Sequence, residues 1–361
     1  MIPKILIIGS TGKLGTKLLS YCFKNNISIF GATCFYNKKK INFQKKKYNI
    51  KNTFTLSIEI EKNNFLNFIK ENKIDLIYFL DYGSESLKYV SIYLKYNTKS
   101  YLAIANKELI IAGGSLLIDK ISKTQNTLIP LDSEHFSLLR SKLINSEVSK
   151  IFITASGGPF FFKKDIDLKK VNIKQVLNHP KWKMGVNNTI DSSNFINKIF
   201  EIYEVSILYK IDINKINFLV SREAYIHSVV IFKDGTISIN CFDNNMLITL
   251  IKPLSFFYEI KNISVKKKYL NIQHLRLNIF DDKRFMIYKY FNKMKKLPHY
   301  LQIKFLILNN ISHRLYLKND LKYANIMDFI IKNLFDKNKA VKLNTFDDIL
   351  KYIKNLNKYY E

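Results

Sequence analysis

Six short clusters along this 361-residue chain combine residue types that bind or activate small molecules. Gly9-Ser10-Thr11-Gly12-Lys13-Leu14-Gly15 is a glycine-rich turn. Asn106-Lys107-Glu108 and Asp132-Ser133-Glu134-His135 bring amide, ammonium, carboxylate and hydroxyl groups together. Ser156-Gly157-Gly158 sets a hydroxyl before two residues able to turn the backbone sharply. His179-Pro180-Lys181-Trp182-Lys183-Met184-Gly185 holds the single Trp of the chain beside a Met, between Pro and Gly, and reads as a lid over a site. Asp191-Ser192 through Asn197, Lys198 and Glu201 spaces its polar groups as on one side of a helix. A charged loop after a strand is most often a helix cap, but three in succession at strand ends favour a site.

The elements needed to position these clusters are legible. Residues 4–8 form an apolar strand that enters the glycine turn and then an amphipathic helix through about Phe23, the arrangement that offers free helix amides to a pyrophosphate. Further strands at 28–34, 75–80, 99–105, 126–131 and 150–154 alternate with helical patterns near 62–72, 84–95, 108–121 and 135–145, which predicts a doubly wound parallel sheet. In such sheets ligands lie at the carboxyl ends of the strands, where the loops at 105–108, 130–135 and 155–160 fall. The second strand ends without a carboxylate and runs into Phe35-Tyr36-Asn37-Lys38-Lys39-Lys40. That cationic stretch suits a ribose 2′-phosphate and favours NADP over NAD.

At about 100° per residue, Phe195, Ile196, Ile199, Ile202 and Tyr203 share one arc of a helix, with Asp191 or Ser192 as its N-cap. Asn194, Asn197, Lys198, Glu201 and Glu204 share the opposite arc, which is then available for chemistry. Later come a strand at 217–221, a hairpin over 227–233 and 236–241 turning at Asp234-Gly235, and helical periods near 298–308, 319–334 and 345–358. The expected fold is α/β, with a Rossmann-like doubly wound parallel sheet over 1–148, a central α+β catalytic domain over 149–280 and a helical C-terminal domain over 281–361.

Composition excludes several classes. With 47% hydrophobic residues the chain is globular, and no apolar run reaches the ~18–20 residues of a membrane span. The strand pattern starts at residue 4, which leaves no room for a leader. Cys22, Cys34 and Cys241 are too widely spaced for a disulfide framework or zinc motif, in keeping with a reducing bacterial cytoplasm. The formal charge of +29 raises the question of nucleic acid, but the excess is lysine spread along the whole chain, and arginine is rare. No nucleic-acid or membrane partner is expected.

Taken together in order and spacing, the six clusters resemble 1-deoxy-D-xylulose 5-phosphate reductoisomerases, clearly over residues 1–240 and more weakly at Ala324-Asn325 and Phe346-Asp347-Asp348-Ile349. The resemblance implies an NADPH-dependent isomerisation and reduction of 1-deoxy-D-xylulose 5-phosphate to 2-C-methyl-D-erythritol 4-phosphate, a committed step of the non-mevalonate isoprenoid precursor pathway. It implies one Mg²⁺ or Mn²⁺ held by Asp132, Glu134 and Glu201. By the same resemblance, Lys107 and Ser133 bind substrate oxygens, Ser156, Ser192, Asn197 and Lys198 bind the phosphate, and His179 lies at that end. Lys107, Glu134, His179 and Trp182 are the implied catalytic set, with Glu134 and Glu201 also facing the phosphosugar. The implied cofactor contacts are Gly9, Ser10, Thr11, Gly12, Lys13, Leu14, Tyr36, Asn37, Asn106, Glu108 and Gly185, and a homodimer is implied as well.

Three segments depart from the family pattern. Val186-Asn187-Asn188-Thr189 replaces two basic residues and Ile-Ser, Ser221-Arg222-Glu223-Ala224 replaces a segment carrying a histidine, and Asp81-Tyr82-Gly83-Ser84 replaces small apolar residues. Two alternatives compete. One is another NADP-dependent dehydrogenase of a small phosphorylated or aldehyde substrate, which would need no metal. The other is a basic, non-catalytic relative.

Overall fold

A computed structural model describes residues 2–141, 143–181, 185–260, 275–336 and 340–360. The chain divides into two compact units, one of residues 1–136 with 245–269, the other of 137–244 with 270–361. The sequence pattern suggests a division at 148/149 and again at 280/281. In the structure the segment from Asn245 returns to the first unit, and the C-terminal helices belong to the second.

In the first unit, strands β1 (Ile5–Ile8), β2 (Gly31–Cys34), β3 (Asn52–Thr55), β4 (Leu76–Phe79), β5 (Tyr101–Ile104) and β6 (Thr127–Pro130) form one parallel sheet in the order β3-β2-β1-β4-β5-β6. Helices α1 (Lys13–Lys24), α2 (Lys38–Lys47), α3 (Glu59–Glu71), α4 (Ser86–Tyr96) and α5 (Lys107–Ser122) make the crossovers, and α6 (Ser133–Ser137) follows β6. The strand order reverses between β1 and β4, the switch point where such sheets bind dinucleotides. Strands β1 and β4 are buried throughout, which is why they read as continuous apolar runs. The segment that returns from residue 245 covers this core with Leu250, Ile251 and Leu254. Tyr78 donates to the Leu250 carbonyl at 2.8 Å, and Tyr101 stacks on Phe256 at 4.4 Å.

The second unit holds β7 (Val148–Ala155), β8 (Ile216–Val220), β9 (Ile226–Phe232), β10 (Ile237–Cys241) and β11 (Asn278–Ile279) in the order β10-β9-β7-β8-β11. Only β7 and β8 run parallel; the other pairs are antiparallel. Around it lie α7 (Ile173–Leu177), α8 (Val186–Asn194) and α9 (Ile196–Tyr209), and from the C-terminal part α11 (Met286–Lys295), α12 (His299–Leu317), α13 (Ile326–Leu334) and α14 (Phe346–Tyr360); α10 (Leu247–Ile251) belongs to the first unit.

Three expectations about elements need correcting. The strand at 150–154 is β7, which is central in the second sheet instead of continuing the first, because it pairs with the parallel β8 on one side and the antiparallel β9 on the other. The helical pattern at 135–145 amounts to α6 and one 3-10 turn, Leu138–Arg140. Finally, no helix begins at Asp191 or Ser192. Helix α8 starts at Val186, and the chain breaks at Phe195, whose φ of 65° is left-handed. That conformation is costly for an aromatic residue. Burial offsets it, since the Phe195 ring is 2% exposed and packs on Phe161, Phe218, Phe280 and Phe285.

The returning segment gives the first test. Tyr78→Phe removes a buried hydroxyl and leaves the Leu250 carbonyl without that donor, which should cost about 1–3 kcal/mol. A urea midpoint lowered at unchanged slope is expected; an unchanged midpoint would mean the bond adds nothing to holding the segment.

Candidate active site

In the first unit the glycine turn leaves β1 with Gly9 at φ 84°, and a side-chain carbon there would lie 2.6 Å from the backbone nitrogen of Asp81. Glycine is required on both counts. Ser10 is fully buried; its hydroxyl faces the Thr33 carbonyl and the Gln44 side chain, at 3.2 and 2.8 Å, and Gln44 donates back to the Ser10 carbonyl at 3.0 Å. Lys40 Nζ donates to the Thr11 carbonyl at 2.8 Å. Helix α2, whose KKKINFQKKK reads as a solvated charge run, thus braces the turn. Gly12 is the N-cap of α1 and supplies no capping side chain, the arrangement that suits an anionic ligand at the helix start. Tyr36 is 79% exposed, Asn37 caps α2 through Lys40 N, and Lys38 pairs with Glu61 at 3.0 Å. Lys13 and Leu14 open α1.

Asn106 is buried and caps α5 by accepting from Leu109 N at 2.9 Å. Its amide donates to Asp81 Oδ1 at 3.2 Å and to the Gly83 carbonyl at 2.9 Å. Asp81 also accepts from Ser86 at 2.6 Å, and burial pushes its carboxyl above the ordinary range against these hydrogen bonds. The departure at 81–84 is thereby built into the turn that presents Lys107 and the buried Glu108. After β6, Asp132 Oδ1 accepts from Glu134 N at 3.1 Å and lies 3.5 Å from His135 Nδ1, while Ser133 donates to Glu134 Oε2 at 2.6 Å.

The second unit assembles a polar cluster from four elements. Ser156 follows β7, His179 follows α7, Ser192 lies on α8 and Lys198 on α9. His179 Nε2 sits 3.1 Å from the hydroxyls of both Ser156 and Ser192. Gly158, at φ 56°, passes so close to Ser192 that a side-chain carbon would meet the Ser192 carbonyl at 2.7 Å. Lys198 Nζ donates to the Thr154 carbonyl at 2.7 Å and pairs with Glu201, which also accepts from Asn197. Two hydroxyls and an imidazole within hydrogen-bond reach of one another, with the Lys198 charge acting on the ring, suit a small oxyanion. Burial, followed by the charge of Lys198, lowers the His179 pKa to about 4, so the ring is neutral near pH 7.

The expected polar arc of the 191–204 helix is not solvated. Lys198, Glu201 and Glu204 are buried along with the apolar arc. Asp191 turns into the interior, 2.8 Å from Asn309 Nδ2 and 3.0 Å from His313 Nε2. Gly185 is the N-cap of α8. Trp182 and Met184 lie outside the described residues. Sequence reasoning missed Gln44, whose partner Ser10 lies 34 residues away, and saw Asp81 only as a departure, without its bond to Asn106.

Residues 128–209 match the model of the 1-deoxy-D-xylulose 5-phosphate reductoisomerase C-terminal domain. A protein of that name from Pelagibacter ubique is 33% identical, over 99% of this chain and 97% of its own length. This chain belongs to the 1-deoxy-D-xylulose 5-phosphate reductoisomerase family. A Clostridium novyi reductoisomerase is 29% identical over 98% of the chain and 99% of its own. Among solved structures, the Zymomonas mobilis reductoisomerase in complex with NADPH has a TM-score of 0.84 at 21% identity, covering 100% of this chain and 98% of its own. A reductoisomerase bound to NADPH, fosmidomycin and magnesium has a TM-score of 0.87 at 21% identity, covering 99% and 97%. These two likenesses establish the reductoisomerase fold.

His179 gives a pH test. The unfolded imidazole takes a proton near 6.5 and the folded one near 4, so the unfolded state binds more protons between those values. Stability should fall as pH drops through that window, and the His179 ring resonances should titrate near pH 4. A midpoint at or above 6.5 would contradict the buried neutral ring.

Proposed function

We propose that this chain converts 1-deoxy-D-xylulose 5-phosphate to 2-C-methyl-D-erythritol 4-phosphate, using NADPH and one Mg²⁺ or Mn²⁺. The observation that carries this reading is the convergence of Ser156, His179 and Ser192 beside Lys198, in a chain of this family. The reaction opens and re-forms a carbon–carbon bond and then reduces the resulting aldehyde.

The residues fit each partner. The crowded Gly9 turn and the uncapped start of α1 suit the dinucleotide's pyrophosphate, and the family resemblance adds Ser10, Thr11, Lys13, Leu14, Asn106, Glu108 and Gly185 as cofactor contacts. Tyr36, Asn37 and the exposed Lys39 would face the ribose 2′-phosphate. By the family resemblance Asp132 and Glu134, half-buried in the first unit, and Glu201, buried in the second, would supply the all-oxygen carboxylate ligands that suit a hard divalent ion. When bound, the ion polarises the substrate's carbonyl and hydroxyl oxygens, and NADPH supplies the hydride. Ser156, Ser192, Asn197 and Lys198 hold the phosphate, and neutral His179 bridges the two serine hydroxyls. Lys107 and Ser133 orient the reacting oxygens of the sugar, so that remote phosphate binding energy places the bond to be broken.

Residues 1–148, 149–280 and 281–361 divide functionally into cofactor-binding, substrate- and metal-binding, and supporting helical parts. We infer a homodimer from the family resemblance, and the edge strand β10, with Ile237 61% and Ile239 55% exposed, supports it as a surface that a second copy would cover. No helix among the described residues is long and apolar enough to cross a membrane. The unpaired Cys22, Cys34 and Cys241 suit a bacterial cytoplasm.

Two measurements test this. Glu134→Gln and Glu201→Gln keep side-chain size but remove a charged ligand oxygen, so the Mn²⁺ concentration for half-maximal activity should rise at least about tenfold, while NADPH affinity by fluorescence stays unchanged. Full activity of both variants at low Mn²⁺ would exclude these ligands. Efficiency should also be greater with NADPH than with NADH, and the reverse order would overturn the 2′-phosphate assignment.

A further inference from the structure

The loop that follows Gly158 has little backbone pairing of its own. Phe161 N reaches the Gly157 carbonyl at 3.2 Å and Lys163 N reaches the Phe160 carbonyl at 3.0 Å. Four carbonyls of the segment are met by one side chain more than a hundred residues away. Arg284 Nη1 donates to the carbonyls of Lys163, Lys164 and Ile166 at 2.8, 3.1 and 3.3 Å, and Nη2 to that of Phe160 at 3.3 Å. Its orientation is set by Asp282, which accepts from Nε at 3.0 Å and from Nη2 at 2.8 Å. The planar fork of a guanidinium can serve four carbonyls and a carboxylate together, which an ammonium cannot.

The carboxylate is itself secured. Asp282 has a side chain 5% exposed and takes a further bond from Lys164 Nζ at 2.7 Å. Burial would push its carboxyl up, but the hydrogen bonds from Arg284 and Lys164 outweigh it and hold the pKa at about 2. The clamp therefore stays charged across the working pH range. From the clamped segment the chain runs back through Gly158, pressed against Ser192, to Ser156, whose hydroxyl meets His179.

We propose that Arg284 is a positioning residue for the phosphate end of the site: by holding the carbonyls of residues 160, 163, 164 and 166 it fixes the Gly157-Gly158 turn and with it the Ser156 hydroxyl. Arg284 touches no substrate. The inference rests on the reading of Ser156, His179 and Ser192 as an anion site, and that reading is checked separately in the wild type.

The experiment uses the full chain with Arg284→Ala and Arg284→Lys, and inorganic phosphate as probe. Wild-type phosphate binding, followed by calorimetry and by the His179 resonances, must first be lost in Ser156→Ala; if it is not, the anion site itself is wrong. Given that site, Arg284→Ala should weaken phosphate and raise KM for substrate by between about tenfold and a hundredfold. NADPH affinity should not change, and kcat should change less than KM. Arg284→Lys should recover only part of the loss. Arg284 lines a cavity of about 380 Å³ with Phe285, Met286 and Tyr323, so removing its side chain opens a route for methylguanidinium. That ion should restore phosphate affinity to Arg284→Ala, and an equal concentration of tetramethylammonium should not. Phosphate affinity within twofold of wild type in either folded variant, or loss of phosphate and NADPH binding in equal measure, would overturn the proposal. If Arg284→Ala does not fold, Arg284→Lys alone decides by the same phosphate criterion.

Discussion

The buried ammonium of Lys198 is the constraint on which the second unit's polar centre depends. A charge taken out of water must be paired and fully hydrogen-bonded or it costs several kcal/mol, and Lys198 meets that need with the Thr154 carbonyl at the end of β7 and the carboxylate of Glu201 one turn along α9. The strand end and the helix are thereby locked to each other. Asn197 and Glu201 inherit their places from the same lock, and the nearby positive charge helps keep His179 neutral. With Nδ1 accepting from Lys181 N at 3.1 Å, the neutral ring carries its proton on Nε2 and offers it to the hydroxyls of Ser156 and Ser192. It therefore adds hydrogen bonding to an anion site without adding a competing counter-charge.

Much of this was legible from residue types. The buried strands β1, β4 and β5 announce themselves as apolar runs, and the glycine turn is recognisable because only glycine fits where the backbone of β1 meets Asp81. Less legible were elements whose reason lies elsewhere in the fold. In α2 only Ile41 and Gln44 are buried, too little apolar periodicity to distinguish a helix from a solvated lysine run. The break at Phe195 has no local signal, since an aromatic residue disfavours left-handed backbone and adopts it only because its ring completes the cluster around Phe280. The burial of the polar arc of α9 was not legible for a related reason. Its charged residues compensate one another in the interior, and helical spacing reports which residues share a face but not what covers that face. Arg284 and Gln44 act on partners that no local window contains.

The departures from the family pattern now have structural settings. Val186 to Thr189 form the first turn of α8, where Thr189 donates to the Gly185 carbonyl at 2.8 Å. The helix is retained although two basic residues are replaced. At 221–224 the chain still joins the sheet through Ser221 N and the Ala155 carbonyl at 2.8 Å, and Ala224 takes a left-handed turn at φ 56°. What that segment lacks is the family's histidine, with Arg222 and Glu223 in the same stretch. The metal, phosphate and cofactor residues proposed above do not include it.

The central claim is that one chain couples skeletal rearrangement to reduction with the aid of a divalent ion. The most direct measurement incubates the protein with 1-deoxy-D-xylulose 5-phosphate and NADPH, with Mn²⁺ and with chelator, and follows NADPH absorbance together with the carbon NMR spectrum of the product. The account predicts one NADPH consumed per branched 2-C-methyl-D-erythritol 4-phosphate formed, and no consumption under chelation. Metal-independent NADPH oxidation giving an unbranched product would contradict it.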